Sequence, residues 1–227
     1  MKVDQGEKSE KQNNLGIRMK ENYQKKLDEI LDKPETEGKK LLIHCCCAPC
    51  SSYVLEYLGN YFSITVLYYN PNITSEAEYR KRVEEQKRLI DAFNAEKKCK
   101  YPISFREGDY HPNLFFEAVR GHEKDKEGGK RCEICFEMRL NEAACLAKEG
   151  GFDFFTTSLT ISPLKNAEKL NDIGLSCGNK YGVAFLPSDF KKKNGYKRSI
   201  ELSKEYDLYR QNFCGCVFSQ NEIKNEG

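Results

Sequence analysis

Leu41-Leu42-Ile43-His44-Cys45-Cys46-Cys47-Ala48-Pro49-Cys50-Ser51-Ser52 is the stretch on which the fold turns. Lys40 to about Cys45 reads as a buried strand, with Leu41-Leu42-Ile43 as its apolar run. Pro49 suits a helix start and places Cys50 in the first turn. A strand that runs straight into a helix is the opening of an α/β unit, and the loop between them is where such folds put function. Many nucleotide-binding folds place glycines there so that backbone N–H groups can approach a phosphate. Here no glycine occurs between Leu41 and Leu58, and thiols occupy the loop instead. That argues against ATP as a ligand and for a metal at the same place. The positive end of the helix favours thiolate over thiol, as metal binding requires.

Outward from this stretch, the pattern alternates. Upstream, Tyr23, Leu27, Ile30 and Leu31 recur at helical spacing, so an N-terminal helix from about Asn22 to Leu31 is expected, ended by Pro34. Before it, residues 1 to about 15 are polar and read as a frayed tail. Downstream, strands are expected at Ser63–Tyr69, Ile103–Arg106, Phe152–Thr157 and Val183–Leu186. Helices are expected at about Ser75–Glu96, Pro112–Arg120, Cys132–Glu149 and Arg198–Tyr209. Alternation of this kind implies an α/β fold, a parallel sheet with helices on both faces and the N-terminal helix added. The expected division is a tail and helix over 1–38, one α/β catalytic domain over 39–220 and a C-terminal tail over 221–227. Gly121–Lys130, charged and containing Gly128-Gly129, reads as a mobile loop able to cover a site.

The 37 basic and 35 acidic side chains leave a net charge of +2, which excludes a globally basic nucleic-acid binder but allows a local basic patch. No run approaches the roughly 18 apolar residues of a membrane span, and the polar opening lacks a signal core. A soluble cytoplasmic protein, with no membrane partner, is expected. Of 11 cysteines, eight fall in three clusters: Cys45, Cys46, Cys47 and Cys50; Cys132 and Cys135; Cys214 and Cys216. Without a secretory signal, clustered cysteines read as metal ligands or redox groups. Cys99, Cys145 and Cys177 stand alone and read as small apolar residues.

Cys132 and Cys135, three apart at a helix start, present both thiols to one side. That spacing suits zinc, an iron–sulfur cluster or dithiol chemistry. Joined to the first cluster it completes four ligands. The unbroken Cys45-Cys46-Cys47 run is unlike the paired motifs of structural zinc, which favours iron–sulfur. Cys214 and Cys216, separated by Gly215, can close a small strained, reducible ring or remain free or metal-binding thiols. Lys191, Lys192, Lys193, Lys197, Arg198 and Arg210, with Tyr196 and Tyr209 interleaved, form the densest basic-aromatic segment, suited to phosphates and unpaired bases. An ordinary solvated lysine face is the plainer reading. Ser162, Lys165 and Asn166 follow the fourth strand and are pocket candidates by position; they also fit a helix cap. A thioredoxin-type oxidoreductase would carry one Cys-x-x-Cys at its first helix, which Cys45–Cys50 contradicts. A zinc-stabilised RNA-binding module is the non-enzymatic alternative.

Several motifs occur in order: His44 with Cys46-Cys47-Ala48-Pro49-Cys50; Tyr69-Asn70-Pro71-Asn72-Ile73; Cys132 with Cys135; Thr157 to Asn166; then Asp189-Phe190-Lys191-Lys192-Lys193, Gly195-Tyr196, Tyr209-Arg210-Gln211 and Cys214-Gly215-Cys216. In these the chain resembles the cobalamin-independent epoxyqueuosine reductase family, the QueH type, from about Asn22 to Ser219. The resemblance implies a HUP-like (Rossmann-like) fold. The activity it implies is reduction of epoxyqueuosine to queuosine at the tRNA wobble position, using a [4Fe–4S] cluster, beside which a characterised member holds a second iron. Carried across, Cys46, Cys47, Cys132 and Cys135 become cluster ligands, and Cys214 with Cys216 the redox pair. Cys45 occupies a variable family position and takes no role. Cys50, just beyond the ligands, is the candidate for the second iron. The partners expected are a tRNA containing epoxyqueuosine and an unidentified electron donor, without ATP.

Overall fold

The computed structural model describes residues 21–226, with side chains to 222; the expected N-terminal tail lies outside them. Five parallel strands form one sheet in the order β3-β2-β1-β4-β5. They are β1 (Lys40–His44), β2 (Ser63–Tyr68), β3 (Ser104–Glu107), β4 (Phe154–Thr157) and β5 (Ala184–Phe185). Crossovers connecting them carry α2 (Ala48–Leu58), α3 (Glu76–Ala95), α4 (Pro112–Ala118), α5 (Lys130–Glu149) and α6 (Ala167–Tyr181). To these are added α1 (Tyr23–Leu31) before the sheet, and α7 (Gly195–Glu205) and α8 (Val217–Glu226) after it.

The pleat of β1 sorts the core. Leu41, Ile43 and Cys45 pack on one face with Val54, Leu55 and Leu58 of α2 and Leu89, Ile90 and Phe93 of α3. Leu42 points the other way, against Phe136, Leu140, Ala143 and Ala144 of α5 and Leu170 of α6. Successive strand residues face opposite sides, so a run of consecutive apolar residues implies cover on both. The parallel α/β sheet expected from the alternation is present, and its architecture is Rossmann-like, as the resemblance implies.

Chain direction reverses its order across the sheet between β1 and β4. β2 and β3 lie to one side of β1, β4 and β5 to the other. The carboxyl end of β1 therefore opens at the switch point, where such sheets leave a crevice. His44 pairs with Leu67 of β2 and Thr157 of β4 in register, so the thiol loop begins between two neighbouring strand ends.

The N-terminal helix is part of this unit. Asn22 caps α1 by accepting from the Lys25 N–H, Leu27 and Leu31 enter the core, and Asp28 accepts hydrogen bonds from Tyr57 and Lys193. Helix α6 has no counterpart in the sequence reading, and α8 continues the chain across the expected 220/221 boundary. Helix α7 starts three residues earlier than expected, at Gly195, which packs against the Phe190 carbonyl and the Tyr53 ring.

Candidate metal centre

Cys47 is the extended N-cap of α2, and Cys50 sits three residues on in its first turn. N-cap and N3 side chains face one another across a helix start. The sulfurs of Cys46, Cys47 and Cys50 accordingly lie within 4.8 Å of one another, a grouping able to hold a metal ion. Cys46 Sγ is 3.8 Å from Cys47 Sγ. Hydrogen bonds from Cys46 and then Cys50, against the opposing effect of burial, hold the Cys47 thiol well below its usual range; the Arg82 charge adds to this. Hydrogen bonds with Cys46 and then Cys47, joined by burial, push the Cys50 thiol well up. One thiolate shared among three sulfurs is the state this geometry favours. Cys45, by contrast, belongs to the core on the other face of β1, and burial raises its thiol far above the ordinary value.

Buried polar groups fix the backbone of this loop. His44 is fully buried between strand ends: Nε2 donates to the Tyr69 carbonyl at 3.0 Å, so Nδ1 accepts from the Thr157 hydroxyl, also at 3.0 Å. Burial, reinforced by the Arg139 charge, lowers its pKa to about 4. The Asn70 amide donates to the Cys45 carbonyl at 2.8 Å, and the Tyr68 hydroxyl to the Cys46 carbonyl at 3.2 Å. The Tyr-Asn-Pro-Asn motif after β2 thus positions the thiol loop after β1.

Beside this group, Cys132 and Cys135 on α5 meet Cys214 and Cys216, which precede α8. All four line one small cavity, together with Asn72 and Arg139. All are free thiols in this structure. Burial pushes Cys135 up to about 12 and Cys216 up to about 11. The Gly128 N–H donates to Cys132 Sγ at 3.2 Å. Cys214 also lines a larger neighbouring cavity of about 280 Å³ with Cys46, Cys47 and Cys50, so the two sulfur groups share a wall.

The segment carrying Cys214 and Cys216 is tied down by buried arginines. Arg82, 1 % exposed, pairs with Glu78 at 2.7 Å, and its Nη1 donates to the Cys214 carbonyl at 3.3 Å. Arg131 pairs with Glu222 at 2.8 Å, and its Nη1 donates to the Glu123 carbonyl at 3.0 Å and to the Asp125 carbonyl. Ser219 donates to Glu127 at 3.0 Å. The loop read as mobile is therefore fastened to α8, and its Glu127 lines both cavities. Its many charges and glycines suggested freedom; the carbonyls they leave available are what Arg131 binds.

Ser162 and Lys165 line the larger cavity, where the thiols of Cys214, Cys46 and Cys50 raise the Lys165 pKa against the cost of burial. Asn166 lies outside that cavity and caps α6, accepting from the Lys169 N–H at 3.1 Å. At the rim stand Leu164, 74 % exposed, and Tyr196, 38 % exposed. The basic segment is largely neutralised internally: Lys191 pairs with Asp189, Lys193 with Asp28, and Arg198 with Glu56, Glu201 and Glu205. Tyr209 is engaged by Glu78 and by Lys81 over its ring. Lys192 and Lys197 are exposed and form no ion pair among the described residues, and Arg210 lines the cavity.

Comparison with known proteins places this geometry. The family model described as epoxyqueuosine reductase QueH matches residues 41–222. The chain belongs to the QueH family. It is 44 % identical over 208 residues to the epoxyqueuosine reductase QueH of Streptococcus pyogenes serotype M1, covering 91 % of this chain and 81 % of that protein. The proteins of the same name from Staphylococcus epidermidis and Staphylococcus aureus are each 43 % identical over 202 residues, covering 87 % of this chain and 84 % and 83 % of theirs. The matched QueH region contains both sulfur groups and the arginines beneath them. Among the described residues no helix is long and apolar enough to cross a membrane.

Sequence reasoning missed Arg82, Arg139, Asn72 and Glu78. A signal existed for Arg139: it lies seven residues after Cys132 and four after Cys135, on the same face of α5. Asn72 belongs to the Tyr69–Ile73 turn motif, yet its side chain lines the four-cysteine cavity with neither polar atom hydrogen-bonded among the described residues.

Proposed function

We propose that this chain reduces the epoxide of epoxyqueuosine in tRNA to the alkene of queuosine, using a sulfur-ligated iron centre. The observation that carries the reading is the shared wall: Cys214 lines one cavity with Cys46, Cys47 and Cys50, and another with Cys132, Cys135 and Cys216. The donor set fits a thiolate-bound metal, since the polar groups buried against it include cations and no carboxylate other than Glu127. Cys46, Cys47, Cys132 and Cys135 would hold a [4Fe–4S] cluster, and Cys50 a second iron. When bound, such a centre supplies single electrons and Lewis acidity toward the ring oxygen.

The chain's own residues do the remainder. The reaction takes two electrons and two protons, and turns the epoxide into an alkene plus water. Oxidation of the Cys214 and Cys216 thiols to a disulfide releases that number of each, so the step balances. An external reductant then restores the dithiol. Lys165, charged and facing the sulfurs, holds a proton at Nζ beside the larger cavity. Leu164 and Tyr196 frame its mouth for a base lifted out of an unpaired loop. Lys192, Lys197 and Arg210 are the cations left for phosphates. Residues 39–220 with α8 act as the catalytic unit, and the tRNA substrate assigns the work to the cytoplasm. The loop after β1 has no glycine, in keeping with a reaction that does not use ATP.

The test is anaerobic purification with iron, sulfide and zinc analysis, followed by incubation with epoxyqueuosine-containing tRNA and a chemical reductant. Brown protein yielding queuosine by nucleoside mass spectrometry is expected. Colourless protein with a single zinc and no product overturns the reading in favour of a zinc-stabilised RNA-binding module.

A further inference from the structure

Three arginines of this chain are almost completely enclosed: Arg82 and Arg139 are each 1 % exposed, Arg131 2 %. Two have the carboxylate that a buried guanidinium demands, Glu78 for Arg82 and Glu222 for Arg131. Arg139 has none among the described residues. Its Nε donates to the Cys135 carbonyl at 3.1 Å, while Nη1 and Nη2 have no hydrogen-bond partner among the described residues. Its guanidinium also sits 5.5 Å from the Phe136 ring centroid, a contact that leaves most of the desolvation cost unmet.

An uncompensated charge at this depth is strongly destabilising, as the deletion of one partner of a buried pair shows. Arginine cannot shed its proton to escape that cost. An anion must therefore face it. Against the cost of burial, the foremost groups raising the Arg139 pKa are the thiols of Cys135, Cys214, Cys46 and Cys132, drawn from both sulfur groups. A second cation, Lys165, faces Cys214, Cys46 and Cys50 without a carboxylate partner among the described residues. Asn72 turns unpartnered polar atoms toward the same small cavity that Arg139 lines. Two cations and an amide converge where, Glu127 apart, the acidic groups lining the cavities are thiols.

We propose that Arg139 is the fixed counter-charge of the sulfur-ligated centre, its two Nη groups donating to thiolate or inorganic sulfide between the two cysteine groups. It rests on the iron-centre reading above. Each electron added to a thiolate-bound centre increases its negative charge, so a resident cation stabilises the reduced form and raises the reduction potential. Arg139 is a positioning residue in this sense: it acts through the centre and not on substrate.

The proposal makes opposite predictions for the two states of the protein. In the metal-free full chain the guanidinium has no full anionic partner, so Arg139→Met, similar in length and apolar, raises the thermal midpoint. In the iron-loaded chain the same substitution makes the potential more negative and speeds iron release to a chelator by about tenfold or more, the effect of a change near 1.4 kcal/mol. Arg139→Lys keeps a cation and holds iron release within about threefold of wild type. An arginine that served packing alone gives the reverse: Arg139→Met destabilises both states and leaves the potential where it was. That result overturns the proposal, as does a lysine variant no better than the methionine one. Should Arg139→Met not fold, Arg139→Gln, polar but neutral, takes its place with the same expected potential shift and iron loss. A wild-type chain that takes up no iron defeats the iron-centre reading; a loaded wild type with an unaltered variant defeats only this inference.

Discussion

Replacing Glu78 by Gln isolates what holds the Cys214 segment against the site. Glu78 is the carboxylate of Arg82, at 2.7 Å, with the arginine side chain 1 % exposed and the glutamate 14 %. Glutamine keeps the shape and one acceptor but removes the charge, leaving a buried guanidinium that still donates to the Cys214 carbonyl. Deleting one partner of a buried ion pair costs about 3–5 kcal/mol. The partly exposed carboxylate and the surviving hydrogen bond bring this to about 2–3 kcal/mol. Tyr209 adds to the effect, because its hydroxyl donates to both Glu78 oxygens, at 3.1 and 3.3 Å, and glutamine offers only one acceptor. Urea denaturation of the metal-free protein reads the global loss. Alkylation of Cys214, followed by peptide mass spectrometry, reads the local one, since 1.4 kcal/mol of easier opening raises the opened population about tenfold. A variant within about 0.5 kcal/mol of wild type, with unchanged alkylation, refutes the idea that this buried pair anchors the segment.

Four further outcomes are expected. His44 titrates near 4 in the fold against 6.5 ordinarily, so below about pH 6.5 the unfolded chain takes up a proton that the folded one refuses. Stability then falls by about 1.4 kcal/mol per pH unit down to about pH 4, and His44→Gln flattens that slope in urea midpoints measured across the range. Gly215 has φ +116, and a Cβ there meets Ile73 at 2.8 Å; Gly215→Ala should cost about 1–3 kcal/mol and speed Cys216 alkylation, whereas wild-type behaviour denies the constraint. Cys50→Ala should lower iron per chain and activity together, and full retention of both removes Cys50 from the centre. Lys192→Ala with Lys197→Ala should weaken tRNA binding mostly at low salt and reduce the salt slope by about 0.7 for each phosphate no longer neutralised; an unaltered slope takes these lysines off the interface.

Much of this architecture is legible in the residues, and the reasons for the exceptions are physical. The central strand β1 comes through because its apolar run, Leu41-Leu42-Ile43, is short and covered on both sides. Helix α6 stays hidden because Gly174 and Gly178 weaken its intrinsic preference by about 1 kcal/mol each. Packing requires them: a Cβ at 174 meets the Phe185 ring at 2.3 Å, and one at 178 the Val183 carbonyl at 2.7 Å. The cysteines announce themselves by clustering, and the structure brings Cys46, Cys47 and Cys50 together as one group. The ion pairs do not, because Glu222 reaches Arg131 and Glu56 reaches Arg198 from far along the chain. Sequence therefore overstates the basic segment's free charge, and it offers no hint that the Tyr209 hydroxyl is engaged while that of Tyr196 has no partner among the described residues.

The order in which the wall of the site appears along the chain sets a timetable for its assembly. The parallel sheet and the first thiol loop are encoded by residue 185, yet the partition between the two cavities arrives only with Cys214, fastened through Arg82 and, via α8, through Arg131. A nascent polypeptide can thus complete its sheet while the candidate metal site still gapes open on one flank. Under the iron-centre proposal, loading before that closing segment emerges would leave the site open to oxygen and competing ions, so cofactor delivery belongs after it.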